Sequence, residues 1–196
     1  MKVADDQASD RPGKYLVIAD EDGAQLGSIR DTVVRTRPSL TLAQLTDEMR
    51  VDKYLCKDFD KLIIHAGAAD IVHGASEKQV LRTIRRLCEL VRDINPKLEL
   101  FISSILPRPG ATRSFIELAK TVNYQLAGIC AEFHAAFLPS FKPFLCKGRP
   151  KLQNYIEGQL SRAGAFSLTQ CFRHALSPRN AGILVAYARR EASFRR

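Results

Sequence analysis

Apolar and polar positions along this chain follow two different periods, and the switches between them mark its elements. Three short runs are apolar almost throughout: Tyr15 to Ala19, Lys61 to Ala66 and Leu98 to Ile105. Each stops at turn residues, namely Asp20, Gly67 and Pro107. Short runs of this kind, bounded by turns, predict parallel strands buried on both faces. Between them the apolar residues recur at helical spacing. Val80, Ile84, Leu87 and Val91 follow Ser76, a candidate N-cap, while Lys78, Arg82, Arg85, Arg86 and Arg92 take the opposite face and Asn95-Pro96 closes the segment. A second helix is predicted from about Ser114 to His134 on Ile116, Ala119, Val122, Leu126, Ile129 and Phe133. A last one is predicted from Ser177-Pro178 onward, carrying Ile183, Leu184, Ala186 and Tyr187.

Strands alternating with helices imply a three-layer α/β/α sandwich with a central parallel sheet. The polar, partly acidic residues 1–12 are expected to form a disordered leader, and residues 13–196 a single domain. Residues 139–170, rich in Pro, Gly, Lys and Arg, show no period and are expected as a surface excursion. No apolar run approaches the roughly 20 residues that span a bilayer, so no membrane partner is expected. The 5 cysteines are widely spaced with no CxxC pattern, which fits reduced thiols in an intracellular protein.

Charge adds a direction to this picture. Residues 1–60 hold 9 Lys/Arg and 12 Asp/Glu, whereas residues 139–196 hold 11 and 2. An excess focused at one end of a chain creates a local positive field that recruits polyanions.

In a parallel sheet, functional groups gather at the C-terminal strand ends. Here these read Ala19-Asp20-Glu21, Gly67-Ala68-Ala69-Asp70 and Ser103-Ser104-Ile105-Leu106-Pro107-Arg108-Pro109, with His174-Ala175-Leu176-Ser177 ahead of the predicted last helix. In this order and spacing the chain resembles the SGNH (GDSL-like) hydrolases from residue 14 to about 190. The resemblance implies degenerate catalytic positions. The family's nucleophilic Ser aligns with Glu21, after Asp20, and a carboxylate cannot attack an ester as a hydroxyl does. The Asn that serves the oxyanion hole aligns with Ala69, and no glycine stands between Gly27 and Gly67 to supply the other donor. His174 is a candidate base with Cys171 in its carboxylate's place; aligning Leu176-Ser177 with the family's His-Leu-Ser instead puts Ala175 at the base. The expectation is a pseudo-hydrolase, not an enzyme, with no catalytic residue, no small-molecule substrate, no cofactor and no metal. Asp20, Glu21, Asp22 and Asp70 could instead gather round a divalent cation, but the reading adopted is that they cap helices or face solvent.

Function then moves to the basic residues. The expected RNA-binding set in the last third is Lys142, Lys147, Arg149, Lys151, Arg162, Arg173, Arg179, Arg189, Arg190, Arg195 and Arg196, with Phe141, Phe144, Tyr155, Phe172 and Phe194 interleaved. Arg30, Arg35 and Arg37 extend it after the first loop. Cations neutralise phosphates while aromatic rings stack on unpaired bases, the combination used on single-stranded RNA. Within the SGNH fold, these losses and the basic end resemble the degenerate domain of insect germ-plasm proteins. That resemblance implies messenger-RNA binding, germ-granule protein partners and a cytoplasmic, RNA-granule location. A rival of the same fold is the SGNH-like domain of retrotransposon proteins, which keeps a catalytic Ser. Two alternatives stay open, a protein-interaction scaffold for an acidic partner and a residual esterase.

Overall fold

The computed structural model describes residues 14–177. The three apolar runs form strands β1 (Tyr15–Ala19), β3 (Lys61–His65) and β4 (Glu99–Ser103), joined by β2 (Thr32–Thr36) and β5 (Ala136–Leu138). The order is β2-β1-β3-β4-β5, with every neighbouring pair parallel. Alternate side chains on each strand enter two separate cores, which is why the central strands carry almost no polar residue.

On one face, Leu16, Ile18, Leu62, Ile64, Leu100 and Ile102 pack against α1 (Leu42–Val51), α3 (Glu77–Ile94) and α4 (Arg113–Glu132). On the other, Val17, Ile63, Phe101 and Leu138 meet Leu168, Phe172 and Leu176 of α5 (Arg162–Leu176) together with Phe144 and Tyr155. This is the expected α/β/α sandwich. The helix starts follow local chemistry. Ser76 accepts from the Gln79 backbone N–H while the Gln79 side chain accepts from Ser76, and Thr41 and Gln44 repeat this reciprocal box ahead of α1. Each cap is worth about 1 kcal/mol.

The excursion expected at 139–170 is instead organised. Two hairpins occupy it, β6 (Leu145–Cys146) with β7 (Arg149–Pro150), and β8 (Tyr155–Ile156) with β9 (Gln159–Leu160). Each turns on two residues of positive φ, 48° and 77° at Lys147-Gly148 and 50° and 81° at Glu157-Gly158. Two consecutive left-handed residues match the strand twist of a tight hairpin, and a glycine second makes that inexpensive. α5 then begins at Arg162, so His174–Leu176 lie inside its last turn and not on a loop ahead of a helix. The helix expected from Ser177 onward and the leader expected over 1–12 fall outside the described residues. Among the described residues, no helix is long and apolar enough to cross a membrane.

The strand order places the site. β2 follows β1 on one side, and β3 returns on the other, so the connections diverge between β1 and β3. In such sheets the crevice at that switch point, beyond the strands' C-terminal ends, is where ligands and functional groups collect.

Candidate functional site

Ala19 is in register with His65, so the residues that close β1 and β3 are neighbours. Asp20 leaves β1, its backbone N–H donates to the His65 carbonyl at 3.0 Å, and its carboxylate accepts from the Asp22 N–H at 3.1 Å. That Asx turn starts a 3-10 turn over Glu21–Gln25 and folds Asp22 back beneath the sheet end. The His65 ring lies between Asp22, at 3.6 Å from Nε2, and the Ser103 hydroxyl, at 2.9 Å from Nδ1. Ser103 continues to Ser140 at 2.8 Å, and Ser140 to Ser104 at 2.9 Å. A carboxylate, an imidazole and three hydroxyls thus form one buried chain across the ends of β1, β3, β4 and β5.

Arg108 closes this chamber from the loop after β4. One guanidinium nitrogen donates to Glu21, and the other lies 3.5 Å from Asp20 and 3.7 Å from Asp22. The loop is held at both ends: the Asn123 amide donates to the Ile105 carbonyl at 2.9 Å and accepts from its N–H at 2.8 Å, and the Tyr155 hydroxyl donates to the Pro107 carbonyl.

Three carboxylates facing one guanidinium and one imidazole cannot all stay charged at little cost. Burial, with the adjacent Asp22 and Glu21 charges, pushes Asp20 up to about 6, against the opposing pull of His65 and Arg108. Burial opposes ionisation of Asp22 too, but the His65 hydrogen bond and the His65 and Arg108 charges outweigh it and hold Asp22 below the usual carboxylate range. His65 is driven the other way: burial favours its neutral form, yet its bond to Asp22 and the two aspartate charges raise it above an ordinary histidine. Asp20, Asp22 and His65 bring ligand-type atoms within 4.8 Å of one another. The Arg108 cation stands against both carboxylates and makes the set an ion-paired cluster.

A second feature lies on the other side of the same loop. Arg108, Arg113, Lys147 and Arg149 line a groove of about 710 Å³ between the loop, the start of α4 and the β6–β7 hairpin, with Leu152 at its rim. Among the described residues, the single acid on its wall, Glu117, is paired with Lys120 at 2.9 Å. The N-terminus of the 20-residue α4 opens beside it and adds the positive end of a helix dipole.

Three solved structures share this architecture. A Streptococcus pneumonia protein whose name carries the words platelet activating factor matches with a TM-score of 0.75 at 20% identity, covering 87% of each chain. A member of the lipolytic G-D-S-L family from Veillonella parvula matches at 0.69 and 11% identity, over 84% of this chain and 98% of its own. A GDSL-like lipase from Bacteroides thetaiotaomicron matches at 0.69 and 14% identity, over 83% and 87%. The fold is that of the SGNH hydrolases. No protein-family model and no curated protein matches the sequence.

The expectation that this SGNH-fold chain is not an enzyme is corrected. Structures sharing its fold are lipolytic or lipase by name, and Ser103, Ser104 and His65 are buried together at the strand ends with Asp22 in reach. Chemistry absent from the expected positions is present beside them, as the Ser103 hydroxyl on β4, the His65 imidazole on β3 and the Asp22 carboxylate in the 3-10 turn after β1. The expected positions are distributed as follows. Asp20 and Glu21 belong to the chamber. Ala69 is buried at the start of the short helix α2 (Ala68–Val72), where its neighbour Asp70 accepts the Leu42 N–H at 2.9 Å and so anchors α1. Cys171 is half-buried and His174 exposed on α5, and the strand-end positions just ahead of that helix are Gln159, Leu160 and Ser161.

The basic set also divides. Lys147 and Arg149 share the groove with Arg108 and Arg113, two residues that charge counting missed; the Pro-Arg-Pro after a strand was the available signal for the first. Lys142 is exposed, and Lys151 half-buried, on the segments flanking the β6–β7 hairpin. Arg30 pairs with Asp31 at 3.2 Å, and Arg37 pairs with Glu48. Arg35 is exposed on β2, at the opposite edge of the sheet from β5. Arg162 is exposed at the start of α5, and Arg173 donates to the Ser28 carbonyl. Arg179, Arg189, Arg190, Arg195 and Arg196 lie outside the described residues.

Proposed function

We propose that this SGNH-fold chain binds single-stranded RNA along the groove between the Arg108–Arg113 loop and the β6–β7 hairpin. The observation that carries this reading is the convergence of Arg113, Lys147 and Arg149 beside a helix N-terminus, with Glu117 already neutralised by Lys120. A row of cations without local counter-charges among the described residues suits a phosphate backbone, and exposed Leu152 offers an apolar edge to an unpaired base. The finer likeness is to the C-terminal domain of Oskar, on Tyr15-Leu-Val-Ile-Ala-Asp-Glu-Asp-Gly23, Ala69 and the Arg-rich end of the chain. It carries the proposal to messenger RNA in cytoplasmic germ granules.

The test is the salt dependence of RNA affinity in a variant with Arg113→Glu, Lys147→Glu and Arg149→Glu together. Binding should fall at every salt concentration, and the slope of log affinity against log salt should flatten by about 2, at about 0.7 per lost phosphate contact on a single strand. Unchanged affinity places the RNA elsewhere; retention of an acidic protein with no RNA bound selects the scaffold reading.

One observation favours a second reading, ester hydrolysis in the manner the neighbours' names describe. With Nε2–H donated to Asp22, His65 Nδ1 is free to accept the Ser103 hydroxyl proton, the relay an acyl hydrolase uses. Ser103 is only 1% exposed, so substrate reaches it only if the structure around it opens. Turnover of a short-chain nitrophenyl ester that disappears in both Ser103→Ala and His65→Gln supports this reading. Absence of turnover in the wild type removes it.

A further inference from the structure

Arg108 belongs to both features. It lines the groove, while its guanidinium is the counter-charge of the chamber. The guanidinium is loosely satisfied there. Glu21 holds one nitrogen, the contacts to Asp20 and Asp22 are long at 3.5 and 3.7 Å, and Nε is buried with no hydrogen-bond partner among the described residues. A guanidinium has five N–H donors in a fixed fork that suits a phosphate better than three divergent carboxylates.

We propose that an RNA phosphate in the groove takes Arg108 from Asp20 and Asp22, and that the chamber takes up a proton in exchange, so that RNA binding at this groove is regulated by pH. This rests on the RNA reading of the groove. The groups facing Arg108 are Asp20, Glu21 and Asp22 from the 3-10 turn, His65 from β3 and Tyr155 from β8, with Arg113, Lys147 and Arg149 on the groove side. When the cation leaves, the carboxylates keep only His65 as a positive partner among the described residues. One of them must then be protonated or stay buried as an uncompensated charge. Asp20 is the group placed to accept the proton: it is 2% exposed, and burial already brings its titration to about 6, within reach of neutral pH. The Asp22–His65 pair can remain ionised throughout. Because the proton is held more tightly in the complex than in the free protein, affinity must rise as pH falls.

The experiment measures the affinity of a labelled single-stranded oligouridine across pH by fluorescence anisotropy, with calorimetry in two buffers of different ionisation enthalpy to count protons. The wild type should bind about tenfold more tightly near pH 5.5 than near pH 7.5, the equivalent of one pKa unit, with net proton uptake at neutral pH. Asp20→Asn, which keeps the acceptor for the Asp22 N–H, should bind at neutral pH as the wild type does in acid, without that uptake. Glu21→Gln, at a half-buried position, should shift affinity the same way by less and guards against a fold defect in the first variant. If Asp20→Asn and Glu21→Gln both keep the wild-type pH slope and proton uptake, the exchange is wrong while RNA binding stands. If no RNA binds at any pH, both readings fall.

Discussion

At the ends of β1 and β3, Asp20, Asp22 and His65 are each more than nine-tenths buried, and each faces a group of opposite charge. One loop away, Arg113, Lys147 and Arg149 are exposed and face a groove whose one acid among the described residues is already paired. The two regions spend charge in different ways. Buried charges hold a structure together only as a set, because removing one leaves the others desolvated and unpaired. Exposed charges contribute little to stability and act mainly on what arrives from solution. The structure therefore separates a region whose substitutions should be read in folding from one whose substitutions should be read in binding.

The largest expected effect tests that separation directly. Arg108→Ala leaves Asp20, Glu21 and Asp22 without their guanidinium and should cost about 4 kcal/mol in urea unfolding, the scale of breaking a buried pair. Arg113→Ala, at the groove, should stay within about 0.5 kcal/mol of the wild type. Equal losses in the two variants would mean the groove is part of the same electrostatic unit as the chamber.

The sequence carried these two regions unequally. β1, β3 and β4 were legible as apolar runs because both of their faces are buried, and α3 because its apolar stripe is regular and its Ser76 cap is local. β2 was not: Thr32-Val-Val-Arg-Thr36 lies on the sheet edge, largely exposed, and shows no alternation. Nor was β5, only 3 residues long. α5 was hidden by Gly164 in its first turn. That glycine is required because a Cβ there would meet the Asn154 carbonyl oxygen at 2.1 Å, although Ser161 as N-cap and the spacing of Ala165, Leu168, Phe172 and Leu176 were available signals. The chamber was legible only in part. Asp20 and Glu21 are local to β1, but His65 is brought beside them by strand register and Arg108 by the loop after β4, which no spacing along the chain reports.

A second expected effect lies in pH. Asp20 takes up its proton at about 6 in the folded protein but near 3.8 when unfolded, so between those values the folded state holds more protons. Stability should rise as pH falls through 6 and level off below 3.8, by up to about 3 kcal/mol for that group. The raised titration of His65 acts in the same direction at higher pH: its contribution is complete below the ordinary histidine value and is lost as pH rises through the folded one. Glu21 and Asp22, held low, oppose this as pH falls below their ordinary values of 4.5 and 3.8. Thermal melts of Asp20→Asn across this range should be flat where the wild type climbs. A wild type whose stability is unchanged from neutral pH to about 4 would show that the chamber is open to water.

The smallest effect sharpens the comparison most, because the two hairpins are alike in backbone and unlike in position. Gly148 and Gly158 both follow a left-handed residue at a two-residue turn, and a Cβ at either meets nothing within 4 Å. Alanine at each should therefore cost only the strain of positive φ, about 1 kcal/mol, and the two losses should match. RNA affinity should not match. Lys147 and Arg149 flank Gly148 and line the groove, whereas Glu157 and Gln159 flank Gly158. Gly148→Ala should weaken RNA binding by a few-fold and Gly158→Ala should leave it unchanged, the difference coming from where the turn aims its neighbours and not from how stable it is. Equal binding in the two variants would move the phosphate contacts off the β6–β7 hairpin and onto Arg113 and the start of α4.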